Sequence, residues 1–196
     1  MAKGSSNQTD EQLVERVFHG EMAAFDVLVL RYQHKLLAMI GRLVRDPHEA
    51  EDLAQETFIK AYRALGNFRG ESAFYTWLYR IAINTANNYL SSRGRRPPDT
   101  DLDVDDEEQV EAQLALADHE DPEAQQRTAE LKAAIDHAIA ELPEDLRTAF
   151  SLREFGGLSY EEITEIMGCP VGTVRSRIFR AREHIDGKIR HLLEPD

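Results

Sequence analysis

Only one cysteine, Cys169, occurs among the 196 residues, so no disulfide can close within the chain, which suits a reducing compartment. No apolar run approaches the length that spans a bilayer. The opening MAKGSSNQTDEQ has none of the charged-then-apolar order of a secretory leader. A cytoplasmic protein without direct membrane insertion is therefore expected. The seven histidines are not spaced with cysteine or carboxylate as metal ligands are. No glycine-rich phosphate loop leads into a helix, and no nucleophile has recognisable partners. These absences predict no cofactor, no metal and no enzyme, although a scattered catalytic set leaves no local signature. Strand signals are missing as well, so the expected class is all-α.

Basic charge is in deficit, with a net charge of -13, which on its face speaks against a nucleic-acid binder. The deficit is concentrated, however. Residues 97–122 hold eleven of the 36 acidic residues and no Lys or Arg, leaving 25 acidic against 23 basic elsewhere. That run opens on Pro97-Pro98, a stiff exit from a helix, and is too poor in apolar residues to form a core. It is expected to be a flexible acidic linker between a first domain over 1–96 and a second over 123–196. Like-charge repulsion makes such a run an extended spacer; lying in a partner's basic channel in place of a nucleic-acid strand is a secondary reading.

The first domain reads as helices almost throughout. Asp10 is placed to cap a helix ending near Phe18, and Glu21 to Val44 carries a long apolar pattern including Phe25, Leu28, Leu36, Leu37 and Ile40. Asp46-Pro47-His48-Glu49 supplies an N-cap, a first-turn proline and an acid at the third position. The helix that follows should reach Leu65, with Ala54, Phe58, Ala61 and Leu65 inward and Asp52, Gln55, Glu56 and Arg63 outward. Acids in an early turn are favoured by the helix dipole alone. As a compact polar surface they also suit docking of a basic partner.

Asn67 to Arg96, NFRGESAFYTWLYRIAINTANNYLSSRGRR, crowds aromatic, amide and cationic residues into one loop and one helix. Aromatic faces stack on unpaired bases and cations hold phosphate, so this composition suits single-stranded nucleic acid. On a helix over 75–92 at ~100° per residue, Phe74, Leu78, Ile81, Thr85 and Tyr89 line an inner face. Arg80, Asn84, Asn87 and Ser91 line the opposite one, with Trp77 between the two. Exposed amides can bond a base edge, and Asn suits adenine or an extruded base. Taken alone, these residues are equally compatible with ordinary aromatic core and solvated amides; Arg93, Arg95 and Arg96 favour nucleic acid.

After the acidic run, helices are expected over 123–141 and 144–155. Ser159-Tyr160-Glu161-Glu162 fits a capping box for a helix whose apolar residues are Tyr160, Ile163, Ile166 and Met167. Gly168-Cys169-Pro170 gives a short turn into another helix, a pattern that fits a helix-turn-helix. On that second helix Val171, Val174, Ile178, Ala181 and Ile185 form one buried stripe. Ser176, Phe179, Arg180 and Glu183 project away from it, with Arg175 and Arg182 on one flank and Arg177 on the other. Arg can bond guanine in bidentate fashion, Ser can contact base or phosphate, and an exposed Phe can touch a thymine methyl. Simple solvation accounts for the arginines but not for Phe179.

The runs RYQHKLLAMI, EDLAQETFIKAYRAL, NFRGESAFYTWLYRIAINTANNYL, GRRPP and LPEDLRTAFSLREFGGLSYEEITEIMGCPVGTVRSRIFRARE closely resemble the extracytoplasmic function sigma factors of the sigma-E type, from about Glu11 to Ile189. The resemblance implies a bacterial RNA polymerase sigma factor that directs core polymerase to specific promoters and initiates transcription of an envelope-stress type of regulon. It implies core-polymerase binding by Asp52, Gln55 and Glu56. It places Phe68, Ser72, Phe74, Tyr75, Trp77, Arg80 and Asn84 at the promoter -10 element, the loop and Asn84 holding a flipped base and Tyr75 and Trp77 supporting melting. Arg153, Arg175, Ser176, Phe179 and Arg180 would contact the -35 duplex. The linker would thread into the RNA-exit region, and a membrane-bound anti-sigma factor is the expected inhibitor. A stand-alone helix-turn-helix regulator is the alternative, but it leaves the stretch around Trp77 without a purpose.

Overall fold

A computed structural model describes residues 8–93 and 122–193; the acidic linker as far as Asp121, with Arg95 and Arg96, falls outside them, while its last expected residue, Pro122, begins a helix. The described residues form eight α-helices and no strand, as the all-α expectation requires.

Helix α1 (Asp10–Phe18) is capped by Thr9 rather than Asp10, because Thr9 and Gln12 each bond the other's backbone N–H in a capping box. Asp10 is engaged elsewhere: it accepts hydrogen bonds from Arg31 and Tyr32. Helix α2 (Met22–Leu43) is the long central element, burying Phe25, Leu28, Leu36, Met39 and Ile40. Asp46 caps α3 (Pro47–Ala64), its carboxylate accepting from the N–H groups of His48 and Glu49. A 3-10 turn over Leu65–Asn67 then ends this stretch one residue earlier than expected. Helix α4 (Phe74–Arg93) packs against α2 and α3.

The second half comprises α5 (Pro122–Ala140), α6 (Glu144–Glu154), α7 (Tyr160–Met167) and α8 (Val171–Leu193). Ser159 and Glu162 complete the expected capping box at α7, and Gly168, at φ 62°, turns the chain toward α8. Val174, Ile178, Ala181 and Ile185 are buried and Ile189 extends the stripe, but Val171 is 38% exposed. Val171 opens the first turn of α8, so it lies at the rim of the packing rather than within it.

The two halves pack together. Helix α7 lies on α4, and α5 and α6 lie on α2. One continuous buried cluster runs from Leu13 through Leu78 to Ala149, Leu152, Leu158, Ile163, Val174 and Ile178. A second, smaller cluster joins α5, α6 and α8 through Ile139, Leu142, Phe150 and Ile185.

Candidate nucleic-acid interface

Packing on more than one side changes the expected faces of α4. Phe74, Leu78 and Thr85 are buried as expected, while Ile81 and Tyr89 are only partly so. Tyr79, Ala82, Ile83 and Ala86 are buried too, so α4 keeps a narrow free strip rather than a full outer face. Tyr79 reaches so far into the core that burial pushes its phenol up to about 12.

The loop between the 3-10 turn and α4 carries an aromatic cluster. Phe68 meets Trp77 at 5.2 Å and Phe74 edge-on at 6.0 Å, and Phe74 meets Trp77 at 5.8 Å. Phe68 and Trp77 border an open pocket of about 420 Å³ lined also by Asn67, Arg69, Glu71, Ser72, Arg80 and, from α7, Glu165. Flat rings suit stacking, amide and hydroxyl groups suit edge contacts and guanidinium groups suit phosphate, with Glu71 and Glu165 set against Arg69 and Arg80. Four of the seven candidate residues, Phe68, Ser72, Trp77 and Arg80, thus share one cavity. Phe74, 2% exposed, supports the cluster from within the core. Asn84 is exposed farther along α4, outside the pocket lining.

Tyr75 points to a different neighbour. Its hydroxyl donates to the Glu162 carboxylate of α7, which Thr76 Oγ1 also approaches at 3.4 Å. The bond to Glu162, with burial adding to it, raises the Tyr75 phenol. At Glu162 burial pushes the carboxyl upward, but bonds from Tyr75, Ser159 and Thr76 outweigh it and hold it below the ordinary carboxylate value. Sequence reasoning missed Tyr32, which stacks on Tyr75 at 6.4 Å and packs on Phe74 at 5.9 Å. It also missed Arg69 and Glu71, although both lie inside the stretch it singled out.

On α3, Asp52, Gln55 and Glu56 are all exposed, with Glu56 paired to Lys60 at 2.8 Å. Exposed Ile59 and Tyr62 continue along the same helix, giving the polar patch an apolar flank that the charge pattern did not announce.

On the helix-turn-helix, Arg175, Ser176, Phe179 and Arg180 are exposed together. Phe179, 61% exposed, has no aromatic partner among the described residues. Arg182 is engaged by Glu154 and Arg177 by Asp145, which leaves the outward face to the four expected residues. Arg153 is half-buried and donates to the Leu158 carbonyl at 2.6 Å. Its guanidinium lies 4.8 Å from the centre of the Tyr160 ring, and that of Arg175 lies 5.4 Å from it. Tyr160 therefore organises two of the candidate arginines, a role hidden from a reading that counted it only as apolar.

The family model described as Sigma-70 region 2 matches residues 28–96, and Sigma-70, region 4 matches residues 132–185. The chain is 62% identical over 188 residues to the RNA polymerase sigma-H factor of Pseudomonas aeruginosa, covering 96% of this chain and 97% of that protein. It is 56% identical over 189 residues to the ECF RNA polymerase sigma-E factor of Escherichia coli K12, covering 96% and 98%. Among solved structures it is similar to the sigma factor RpoE of Bartonella quintana bound to the anti-sigma factor NepR, with a TM-score of 0.63 and 25% identity over 85% of this chain and 96% of that one. CnrH, solved with the cytosolic domain of CnrY, shares the fold at a TM-score of 0.66 and 23% identity, over 94% and 99% of the two chains. The half that carries the aromatic recess and the half that carries the helix-turn-helix thus match the two sigma-70 regions in order. The chain belongs to the RNA polymerase sigma factors of the sigma-70 type, in the extracytoplasmic function branch.

Proposed function

We propose that the first half holds the displaced strand of the promoter -10 element in the pocket of Phe68, Ser72, Trp77 and Arg80, while Arg153, Arg175, Ser176, Phe179 and Arg180 hold the -35 duplex. The observation that carries this is the presence, in one chain, of a ring-lined recess bearing Arg69 and Arg80 and an exposed Phe179 beside Arg180. Extruding a base from a duplex costs about a few kcal/mol, and stacking with hydrogen bonding to the displaced base offsets it. Recognition and melting are then one event. Asn84, outside the recess, follows the strand along α4. Asp52, Gln55 and Glu56, flanked by Ile59 and Tyr62, dock on core polymerase.

The chain performs no catalytic chemistry and works in the cytoplasm; among the described residues no helix is long and apolar enough to cross a membrane. Its domains fall at 1–96 and 123–196, with residues 97–122 as the spacer. Its proposed regulator is a membrane-bound anti-sigma factor and its targets are envelope-stress genes. The similarity to RpoE, solved with an anti-sigma factor, supports an anti-sigma partner; the similarity to ECF sigma-E factors supports targets of the same type.

Transcription reconstituted with purified core polymerase on a promoter library tests the proposal. Asn84→Ala should impair strand opening selectively, and Arg180→Ala should weaken upstream binding. Initiation untouched by both substitutions refutes the residue assignments. The excess of negative charge, -13 over the chain, leaves few phosphates to be neutralised by the protein alone. Mounting both readers on polymerase makes their contacts effectively intramolecular. The free protein should barely shift promoter DNA at physiological salt, whereas the holoenzyme should bind specifically.

A further inference from the structure

We infer that Tyr32 of α2, held by Asp10 of α1, is a positioning residue for strand recognition: it supports the ring cluster from outside the recess, so that Phe68 and Trp77 meet the displaced bases in a fixed geometry. This rests on the proposed use of the recess. The rings form one connected set. Tyr32 packs on Phe74 at 5.9 Å and stacks on Tyr75 at 6.4 Å, with an interplanar angle of 29°. Phe74 in turn meets Trp77 at 5.8 Å and Phe68 at 6.0 Å. At 2% exposure Phe74 offers no face to a base, yet both rings of the recess lean on it. Tyr32 does not line the recess itself.

What holds Tyr32 lies at the entry to the first helix. Thr9 and Gln12 cap α1, so the Asp10 carboxylate is not needed as a cap. One of its oxygens accepts from the Tyr32 hydroxyl and the other from Arg31. Arg31 also donates to the Gln8 carbonyl at 2.8 Å, which ties the start of α1 to α2. The Asp10 side chain is 13% exposed, so water competes little for these bonds. Burial first, and then the bond to Asp10, pushes the Tyr32 phenol above its ordinary value, and it remains a hydrogen-bond donor at neutral pH. Ring pairs are worth more than their buried area when their tilt and offset are kept, and a hydroxyl anchored at the end of a ring restricts its sliding. A site whose supporting residues are loose loses discrimination before it loses its contacts. Asp10 and Tyr32 supply that constraint from two helices that carry none of the recess.

Reconstituted transcription with the holoenzyme, on promoters differing by one base at each position of the -10 element, tests the inference. The readout is the ratio of initiation between the preferred base and the others, because loss of folded protein lowers all rates alike and leaves that ratio unchanged. Tyr32→Leu should lower the preference about two- to tenfold, the range expected for a lost ring pair. Asp10→Ala should lower it in the same direction, and Asp10→Asn should restore it, because the amide oxygen still accepts the hydroxyl. In a Tyr32→Phe background, where the hydroxyl is already gone, Asp10→Ala should add nothing. An unchanged ratio in Tyr32→Leu overturns the inference, as does a fully additive loss in the double variant. Trp77→Ala separates the two ideas. If it and Tyr32→Leu both leave the ratio unchanged, the recess assignment fails and the positioning role with it; if Trp77→Ala flattens the preference and Tyr32→Leu does not, the recess stands and the positioning role alone fails.

Discussion

Replacing Tyr160 by leucine removes the one ring that two arginines of the proposed upstream contact share, while keeping an apolar side chain at the start of α7. The guanidinium groups of Arg153 and Arg175 lie 4.8 and 5.4 Å from the ring centre, and an exposed cation–π contact is worth ~0.5–1 kcal/mol. Losing both releases the arginines to other rotamers at a cost of about 1–2 kcal/mol in upstream binding, a factor of roughly 5 to 30. The capping box of Ser159 and Glu162 is untouched, so the fold should be kept and thermal unfolding lowered by no more than the two lost ring contacts account for. Holoenzyme affinity for promoter fragments with and without the upstream element measures the effect. Tyr160→Leu should weaken binding only where that element is present. Tyr160→Phe should bind nearly as the parent, because it keeps the ring face and drops the hydroxyl. Equal loss in the Phe and Leu variants would move the role to the hydroxyl, and no loss in Leu while Arg175→Ala is impaired would refute the positioning argument.

Backbone space makes a contrast between two glycines. A Cβ on Gly156 would meet the Leu152 carbonyl oxygen and Leu158 Cδ1 at 2.6 Å each, so Gly156→Ala should destabilise by about 1–3 kcal/mol in urea unfolding. Gly41, inside α2 with nothing within 4 Å of a Cβ, should become about 0.5–1 kcal/mol more stable as alanine; equal shifts at both positions would contradict the packing. The contact that closes α7 onto α4 through Tyr75 and Glu162 should also be bounded in pH. Glu162 is held low by its hydrogen bonds against the opposing effect of burial, so closure favours its ionised form; it is complete above the ordinary carboxylate value of about 4.3 and lost as pH falls through the lowered one. Tyr75 is held high, mainly by Glu162, so closure favours its protonated form; it is complete below about 10 and lost as pH rises through the raised value. Energy transfer between dyes on the two halves, followed across that range, should show closure at neutral pH and opening at both ends, and a flat profile would refute it.

Much of the architecture was legible because it is written locally. Asp46 before Pro47 and Ser159 before Glu162 are caps that need no tertiary partner, and both form as expected. Thr9 displaced Asp10 as the first cap because Gln12 could reciprocate, leaving Asp10 to hold Arg31 and Tyr32. The ring cluster around Trp77 could be suspected from composition, yet its membership depended on contacts across sequence. Phe74 went to the core, and Tyr32 of α2 joined from a position no local pattern linked to α4.

What stayed hidden has a common cause. A helical wheel assigns one inner and one outer face, and that assumption fails for an element packed on two sides. Helix α4 meets α2, α3 and α7, which is why Ile83 and Ala86 are buried alongside Leu78 and Thr85. The same blindness applies to Glu162. From sequence it is the acid of a capping box, and it does cap α7 through the Ser159 N–H at 2.7 Å. Its other oxygen, however, takes the Tyr75 hydroxyl from the opposite half of the chain. A carboxylate has lone pairs enough for both bonds, so one residue can satisfy a local rule and a long-range contact together. The local rule explained its presence completely, and so gave no reason to look for the second.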